Sequence, residues 1–306
     1  MQFIHAPSPL QKLDSRFFPA LQLWVKRDDL LHEHVSGNKF RKLKYPLQAI
    51  EKSAPILVTM GGAWSNHLHA TAHAARLAGY PALALVRGHE DGNRTLSATL
   101  LDCQRLGMQI RFVNREAYRQ LRDVPDAWRQ HVDDLSSRHV WLPEGGSAAA
   151  ALHGVAELVD ELWTAQVDQA PFVPDTVVVA CGTGATLAGL LAGMAGRGRV
   201  IGVAAISNAH HLHDEIARLL QQAGYPAFKN YELLTDAHHG GYAKAPPLLR
   251  QFCLDFGSET GVQIEPVYTG KMFYALHQLA QTGKFGCNER VVAVHTGGMQ
   301  GARGFL

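Results

Sequence analysis

An α/β fold of two lobes, each an open, twisted parallel sheet with helices on both faces, is predicted by three observations. From residue 55 onward, a short apolar run, a Gly-rich turn and a helical stretch recur in that order, in two series. The apolar runs are near-continuous rather than alternating, as expected of strands buried on both faces. A chain of 306 residues exceeds the soft prior of ~150 residues for one domain.

Taken in order, residues 1–35 are irregular and aromatic, with Leu21–Arg27 alternating as a short strand. Gly37 turns the chain into a helix that Pro46 interrupts or bends. The first series has strands at Ile56–Met60, Pro81–Val86, Gln109–Val113 and Val140–Leu142. Its helices run from Asn66 to Leu77, Thr95 to Leu106, Arg115 to Leu121 and Asp126 to Leu135. An alanine-rich helix after Ser147 reaches about Ala165 and leads to the second series. There the strands are Thr176–Ala180, Val200–Ile206, Tyr231–Leu234 and Arg290–Val294. The helices are Leu187–Met194, His210–Gln222, Leu248–Thr260 and Thr269–Thr282.

Composition narrows the function. A net charge of +2 argues against a nucleic-acid footprint, which needs clustered basic residues. No run of ~18 apolar residues suits a membrane span, and Met1–Pro7 lacks the charged leader and apolar core of a signal peptide. The 4 scattered cysteines, without Cys-x-x-Cys, read as reduced thiols of a cytoplasmic protein. The 17 histidines include His69 and His73 at i,i+4 spacing, but no His-Glu-x-x-His is present, so no metal is expected.

Ligands of open parallel sheets sit at the carboxyl ends of the strands. The Gly-rich turns at 61–62, 182–184 and 297–298 follow strand ends and are the candidate site walls. In Gly182-Thr183-Gly184-Ala185-Thr186, glycines, hydroxyls and a helix start coincide, which favours phosphate binding over a plain turn. A dinucleotide fold wants a third glycine where Leu187 stands and an acid near Ile206-Ser207-Asn208, so an NAD-type oxidoreductase is disfavoured. In Ser36-Gly37-Asn38-Lys39-Phe40-Arg41-Lys42-Leu43, Lys39 heads a helix, where the dipole disfavours a cation. Taken alone this is a basic, solvated helix start. The alternative is an amine whose pKa is lowered so that it attacks a carbonyl, with Lys42 on the same face to hold a phosphate. Ser65 is either an N-cap or a site hydroxyl, Asn66 a turn residue or a ligand. Tyr242 and Tyr268 each lie beside glycines in loops, and Thr296 pairs a hydroxyl with Gly297-Gly298.

Seven motifs occur in one order over nearly the whole chain: Lys26-Arg27-Asp28-Asp29, Gly37-Asn38-Lys39-x-Arg41-Lys42-Leu43, Gly61-Gly62-x-x-Ser65-Asn66-His67, Pro143-Glu144-Gly145-Gly146, Gly182-Thr183-Gly184-x-Thr186, Pro266-Val267-Tyr268-Thr269-Gly270-Lys271 and His295-Thr296-Gly297-Gly298. This ordered set resembles the pyridoxal-phosphate (PLP) enzymes of the tryptophan-synthase-β-like fold (fold type II). Within them it resembles the 1-aminocyclopropane-1-carboxylate (ACC) deaminase/D-cysteine desulfhydrase family.

The resemblance implies PLP in a cleft between the lobes, with residues 1–44 plus 148–306 as the large lobe and 45–147 as the small one. It implies that Lys39 is the Schiff-base lysine and that Lys42 with Gly182, Thr183, Gly184, Ala185 and Thr186 holds the phosphate. Asn66 would bond the pyridine 3-oxygen and Thr296 lie near the pyridine nitrogen. Ser65 would be nucleophile or carboxylate ligand, with Tyr242 and Tyr268 flanking a small amino-acid substrate. A homodimer is a family expectation. Thr269 stands where ACC deaminases have glutamate, whose pairing with the preceding tyrosine assists ring opening, so D-cysteine desulfhydrase is expected ahead of ACC deaminase. A non-catalytic PLP-binding protein ranks below both. Trp64 and His69 replace glutamine and arginine beside Ser65 and are expected to reshape the pocket.

Overall fold

A computed structural model describes residues 6–35, 37–50, 55–88, 96–133, 137–167 and 170–305. In chain order the elements are β1 (Leu10–Lys12), β2 (Gln22–Lys26), α1 (Asn38–Gln48), β3 (Ile56–Gly61), α2 (Asn66–Ala78), β4 (Ala82–Arg87), α3 (Ala98–Arg105), β5 (Met108–Val113), α4 (Arg115–Asp123) and β6 (His139–Leu142). There follow α5 (Ala149–Thr164), the two-residue strands β7 (Gln166–Val167) and β8 (Ala170–Pro171), β9 (Thr176–Cys181), α6 (Ala185–Met194), β10 (Arg199–Ala204), α7 (Leu212–Gln222), β11 (Tyr231–Leu234), α8 (Pro247–Thr260), α9 (Thr269–Gln281) and β12 (Arg290–Val294).

Two main sheets result. One has the order β1-β2-β12-β9-β10-β11 and the other β5-β4-β3-β6. Every pairing in them is parallel except β1 with β2, an antiparallel edge absent from the predicted pattern. The all-valine run of β9 explains its central place. Val177, Val179 and Cys181 face the cluster formed with α5, α6 and α7, while Val178 and Ala180 face α8 and α9. Strand alternation thus feeds two cores from one apolar strand. In the smaller sheet Leu57, Ala84 and Val86 face α1, α2 and α3, and Val58, Met60 and Leu85 face the opposite side, with Tyr118 and Leu121 of α4.

Three local expectations change. Helix α1 runs through Pro46 to Gln48; the amide that proline lacks would have served only the final turn. The helix expected over Asp126–Leu135 is a 3₁₀ turn, Ala127–His131, because Asp126 is left-handed at φ 60° and no apolar helical stripe follows. Residues 134–136 lie outside the described residues, as do Thr95 at the expected start of α3 and Ser36 before Gly37. Helix α3 begins at Ala98, and Ser97 caps it by accepting from the Leu100 amide at 3.2 Å.

The topology positions the site. In each sheet the strand order reverses once, between β9 and β12 and between β3 and β6. Crevices open at such switch points beyond the carboxyl ends of the strands. The turns after β3, β6, β9 and β12 carry Gly61-Gly62, Glu144-Gly145, Gly182–Gly184 and Thr296-Gly297, and all four border one cleft.

Candidate active site

The cleft has a volume of about 1230 Å³ and brings together Lys39, Lys42, Ser65, Asn66, Gly182, Thr183, Gly184, Thr186, Tyr242, Tyr268 and Thr296. Ala185 differs: its methyl is fully buried in the core, leaving its backbone amide as the group that could serve a ligand.

Lys39 is placed by contacts from two distant segments. Gly37, at φ +64°, lies so close to the end of β12 that a β-carbon would sit 1.9 Å from the Thr296 carbonyl oxygen. The Asn38 amide donates to that oxygen at 3.2 Å. The Asn38 side chain donates to Thr186 Oγ1 at 2.9 Å and accepts from Lys39 Nζ at 2.9 Å. Helix α1 therefore starts where β12 ends and α6 begins. Burial pulls the Lys39 amine down to a pKa of about 8, against the pull of the Glu265 carboxylate. Lys42, one turn on, is buried, and burial followed by the charge of Lys39 holds it well below the ordinary lysine range. Among the described residues neither lysine has a carboxylate within ion-pair distance.

Opposite them stands the start of α6. Gly184 gives it no side-chain cap and its first turn holds no acid, so its amides face the cleft without a side-chain acceptor. Two buried or half-buried amines, a bare helix N-terminus and the hydroxyls of Thr183 and Thr186 make a donor-rich set, and among the described residues its amines have no carboxylate within ion-pair distance. The set fits a phosphorylated aldehyde: a phosphate for Lys42 and α6, and a carbonyl for Lys39.

On the other wall Ser65 caps α2, accepting from the Leu68 amide at 3.3 Å. Capping engages a lone pair, so the hydroxyl proton stays free to donate into the cleft. Tyr268 packs edge-on to Tyr242 with ring centres 6.1 Å apart. Burial raises both phenols, Tyr268 well above the ordinary value, so both remain protonated at neutral pH. Among the described residues no group of three His, Cys, Asp or Glu could hold a metal ion. None of the described helices is long and apolar enough to cross a membrane.

Four residues gain a place that sequence reasoning did not assign. Asn38 bridges Lys39 to Thr186. His67 is buried at the cleft wall. The Thr59 hydroxyl donates to the Leu142 carbonyl at 2.8 Å, so His67 Nε2 donates to Thr59 at 2.8 Å and Nδ1 is left as a buried acceptor without a partner among the described residues. Burial and then Lys39 and Lys42 hold this ring far below its usual pKa, and hence neutral. Glu265 is fully buried and accepts the amides of Val267, Tyr268 and Thr269 at 2.6, 2.9 and 2.8 Å, fixing the turn that presents Tyr268. Gln300 donates to Asn66 Oδ1 at 2.9 Å. His67 and Asn38 sat inside quoted motifs. Glu265, whose partners lie two to four residues on, was legible as an acceptor for the amides at the start of α9; Gln300 carries no local signal, since a contact over 234 residues emerges only on folding.

Trp64 and His69 correct an expectation. Neither lines the cleft. Trp64 packs on Gly304, and His69 lies between His73, with ring centres 4.6 Å apart, and Asp102, 3.8 Å away. Trp64 precedes the N-cap of α2, and His69, a full turn beyond Ser65, is directed to His73 and Asp102.

Residues 1–297 match the sequence model of the family described as pyridoxal-phosphate dependent enzyme. A Pyrococcus furiosus protein, provisionally named as an ACC deaminase, is 31% identical over 289 residues, covering 91% of this chain and 85% of its own. The mitochondrial bifunctional D-cysteine desulfhydrase/ACC deaminase of Arabidopsis thaliana is 28% identical, with 97% of this chain and 77% of that one covered. A solved structure of an ACC deaminase homologue superposes with a TM-score of 0.82 at 29% identity, over 98% of this chain and 92% of that one.

Proposed function

The chain belongs to the pyridoxal-phosphate-dependent enzyme family, and from that premise we propose that it is a desulfhydrase, converting D-cysteine and water to pyruvate, hydrogen sulfide and ammonia. The observation that carries the site assignment is the pair of carboxylate-free amines, Lys39 and Lys42, facing the uncapped start of α6. PLP, when bound, supplies an electron sink for the substrate's α-carbon.

The protein's own residues do the rest. Lys42, the α6 amides and the hydroxyls of Thr183 and Thr186 bind the phosphate. Lys39 would hold the aldehyde through its amine and would serve as the base for the substrate's α-proton. Asn66 donates to the phenolic oxygen. Thr296, a neutral hydroxyl, meets the pyridine nitrogen; it holds no proton there as a carboxylate would, which suits loss of a good β-leaving group. Ser65 donates to the substrate carboxylate, and Tyr242 and Tyr268 wall the side-chain pocket. We assign residues 1–44 with 148–306 to the larger lobe and 45–147 to the smaller, which puts the boundary inside α1.

Preference for D-cysteine rests on Thr269. It is buried, its hydroxyl accepts the Glu265 amide at 3.0 Å, and it offers no carboxylate beside Tyr268. ACC deamination to 2-oxobutyrate and ammonia is the second reading, favoured by the names of several relatives. Purified protein with PLP, given D-cysteine, L-cysteine and ACC in turn, separates them. Pyruvate and sulfide from D-cysteine, with little 2-oxobutyrate from ACC, is the expected result. Faster 2-oxobutyrate release from ACC overturns the D-cysteine assignment and leaves the site intact.

A further inference from the structure

Asn66 is gripped by a segment that begins just after the Thr296 turn. Gln300 Nε2 donates to Asn66 Oδ1 at 2.9 Å. Gly298, at φ +90°, lies so close that a β-carbon there would sit 2.3 Å from Asn66 Nδ2, and one at Gly301 would sit 3.1 Å from Oδ1. Gln300 and Asn66 also share a small cavity with Lys39 and Thr296. The segment, a 3₁₀ turn over Met299–Phe305, is itself tied down. Arg303 donates from Nη2 to Asp102 Oδ2 at 2.6 Å and from Nε to the Gln300 carbonyl at 3.1 Å, while Gly304 lies against the Trp64 ring.

An asparagine amide is nearly symmetric in shape and opposite in chemistry at its two ends. With Oδ1 taken by a donor, the NH₂ end is the one left to face a ligand. We propose that Gln300 is a positioning residue for the cofactor: it orients the Asn66 amide so that the NH₂ group meets the phenolic oxygen of PLP. This rests on the assignment of Asn66 to that oxygen made above. It also gives Trp64 and the Asp102–Arg303 pair a common role, holding the segment that carries Gln300.

The test uses two variants of opposite logic. Gln300→Met keeps length and removes the donor, leaving Asn66 free to take either orientation. Gln300→Glu supplies only acceptors, so the Asn66 NH₂ turns toward residue 300 and its carbonyl faces the phenolic oxygen, lone pair against lone pair. Apoprotein is titrated with PLP at fixed pH, following the visible absorption of the bound cofactor, with thermal unfolding as a check on folding. Gln300→Met is expected to bind about three- to tenfold more weakly, the worth of one net hydrogen bond. Gln300→Glu is expected to bind more weakly still and to move the visible band toward the form with a protonated phenol. Both effects should vanish in an Asn66→Ala background. Wild-type binding and band in both Gln300 variants, with Asn66→Ala impaired, overturns the role of Gln300 and leaves Asn66 standing. Equal losses with and without Asn66 overturn it too, because Gln300 would then act by another route. An Asn66→Ala protein with wild-type affinity and spectrum overturns the assignment of Asn66, and the proposal with it.

Discussion

Two sides of helix α1 carry buried cations, and they are treated in opposite ways. On one side Arg41 donates to Asp28 at 2.6 and 2.8 Å and to Glu161 at 2.9 Å from each of two nitrogens, and Lys26 joins Glu161 at 2.5 Å. Burial works against these charges, yet Asp28 and Glu161 hold the Arg41 guanidinium above its ordinary pKa, and Arg41 and Lys26 hold Glu161 below its own. Two cations meet two carboxylates, although burial still draws the Lys26 amine below its ordinary value against the pull of Glu161. On the other side Lys39 and Lys42 have no carboxylate within ion-pair distance among the described residues, and both pKa values fall. A closed network joins α1 to α5 and to the turn after β2. An open one is a receptor for negative charge, because an unpaired buried ammonium persists only if something outside the chain balances it.

Lys39→Ala tests the open side hardest. Losing an amine that serves as both anchor and base should cut turnover by at least ~10²–10⁴-fold. Borohydride treatment of the wild-type holoenzyme should leave its label on Lys39, and a label elsewhere would sink the assignment. Removing one partner of the closed side attacks the fold instead. Arg41→Met leaves Asp28 and Glu161 without their shared donor and should cost about 3–5 kcal/mol in urea unfolding. Lys42→Met gives the contrast. The apoprotein should be unchanged or more stable, since a buried unpaired charge has gone, while PLP affinity falls. Inorganic phosphate should raise the melting temperature of wild-type apoprotein and leave that of Lys42→Met where it is. If Arg41→Met and Lys42→Met destabilise the apoprotein alike, the distinction between the two sides is wrong.

Much of this was legible in the chain. Apolar runs as plain as Thr176–Cys181 announce buried parallel strands, and glycines at strand ends mark the cleft before any coordinate is known. Lys39 and Lys42 stood out by spacing and by the dipole of the helix they open. What stayed hidden depended on long-range geometry. The lack of a carboxylate for Lys42 is a property of everything packed around it, and the paired state of Arg41 depends on Glu161, 120 residues away. The 3₁₀ turn at Ala127–His131 hinged on one left-handed residue, Asp126, that polar composition did not betray.

The finest test is of the Lys39 amine by pH. Its pKa of about 8, against 10.5 for the free side chain, is set first by burial, with Glu265 opposing. Only the neutral amine captures an aldehyde. The rate of PLP capture by apoprotein should therefore rise with pH through a midpoint near 8 and level off, where a solvated lysine would keep gaining until above 10. The sign for stability follows from the same shift. Between about 8 and 10.5 the unfolded chain holds a proton on this residue that the folded chain has lost, so its contribution to apoprotein stability grows with pH across that window. Lys39→Met should flatten that rise. Glu265→Gln removes the carboxylate that favours the charged amine, so the capture midpoint should move to lower pH. A midpoint that stays put, or one near the free-lysine value in the wild type, would mean that Lys39 is hydrated and that the open side of α1 is open to water, not to a cofactor.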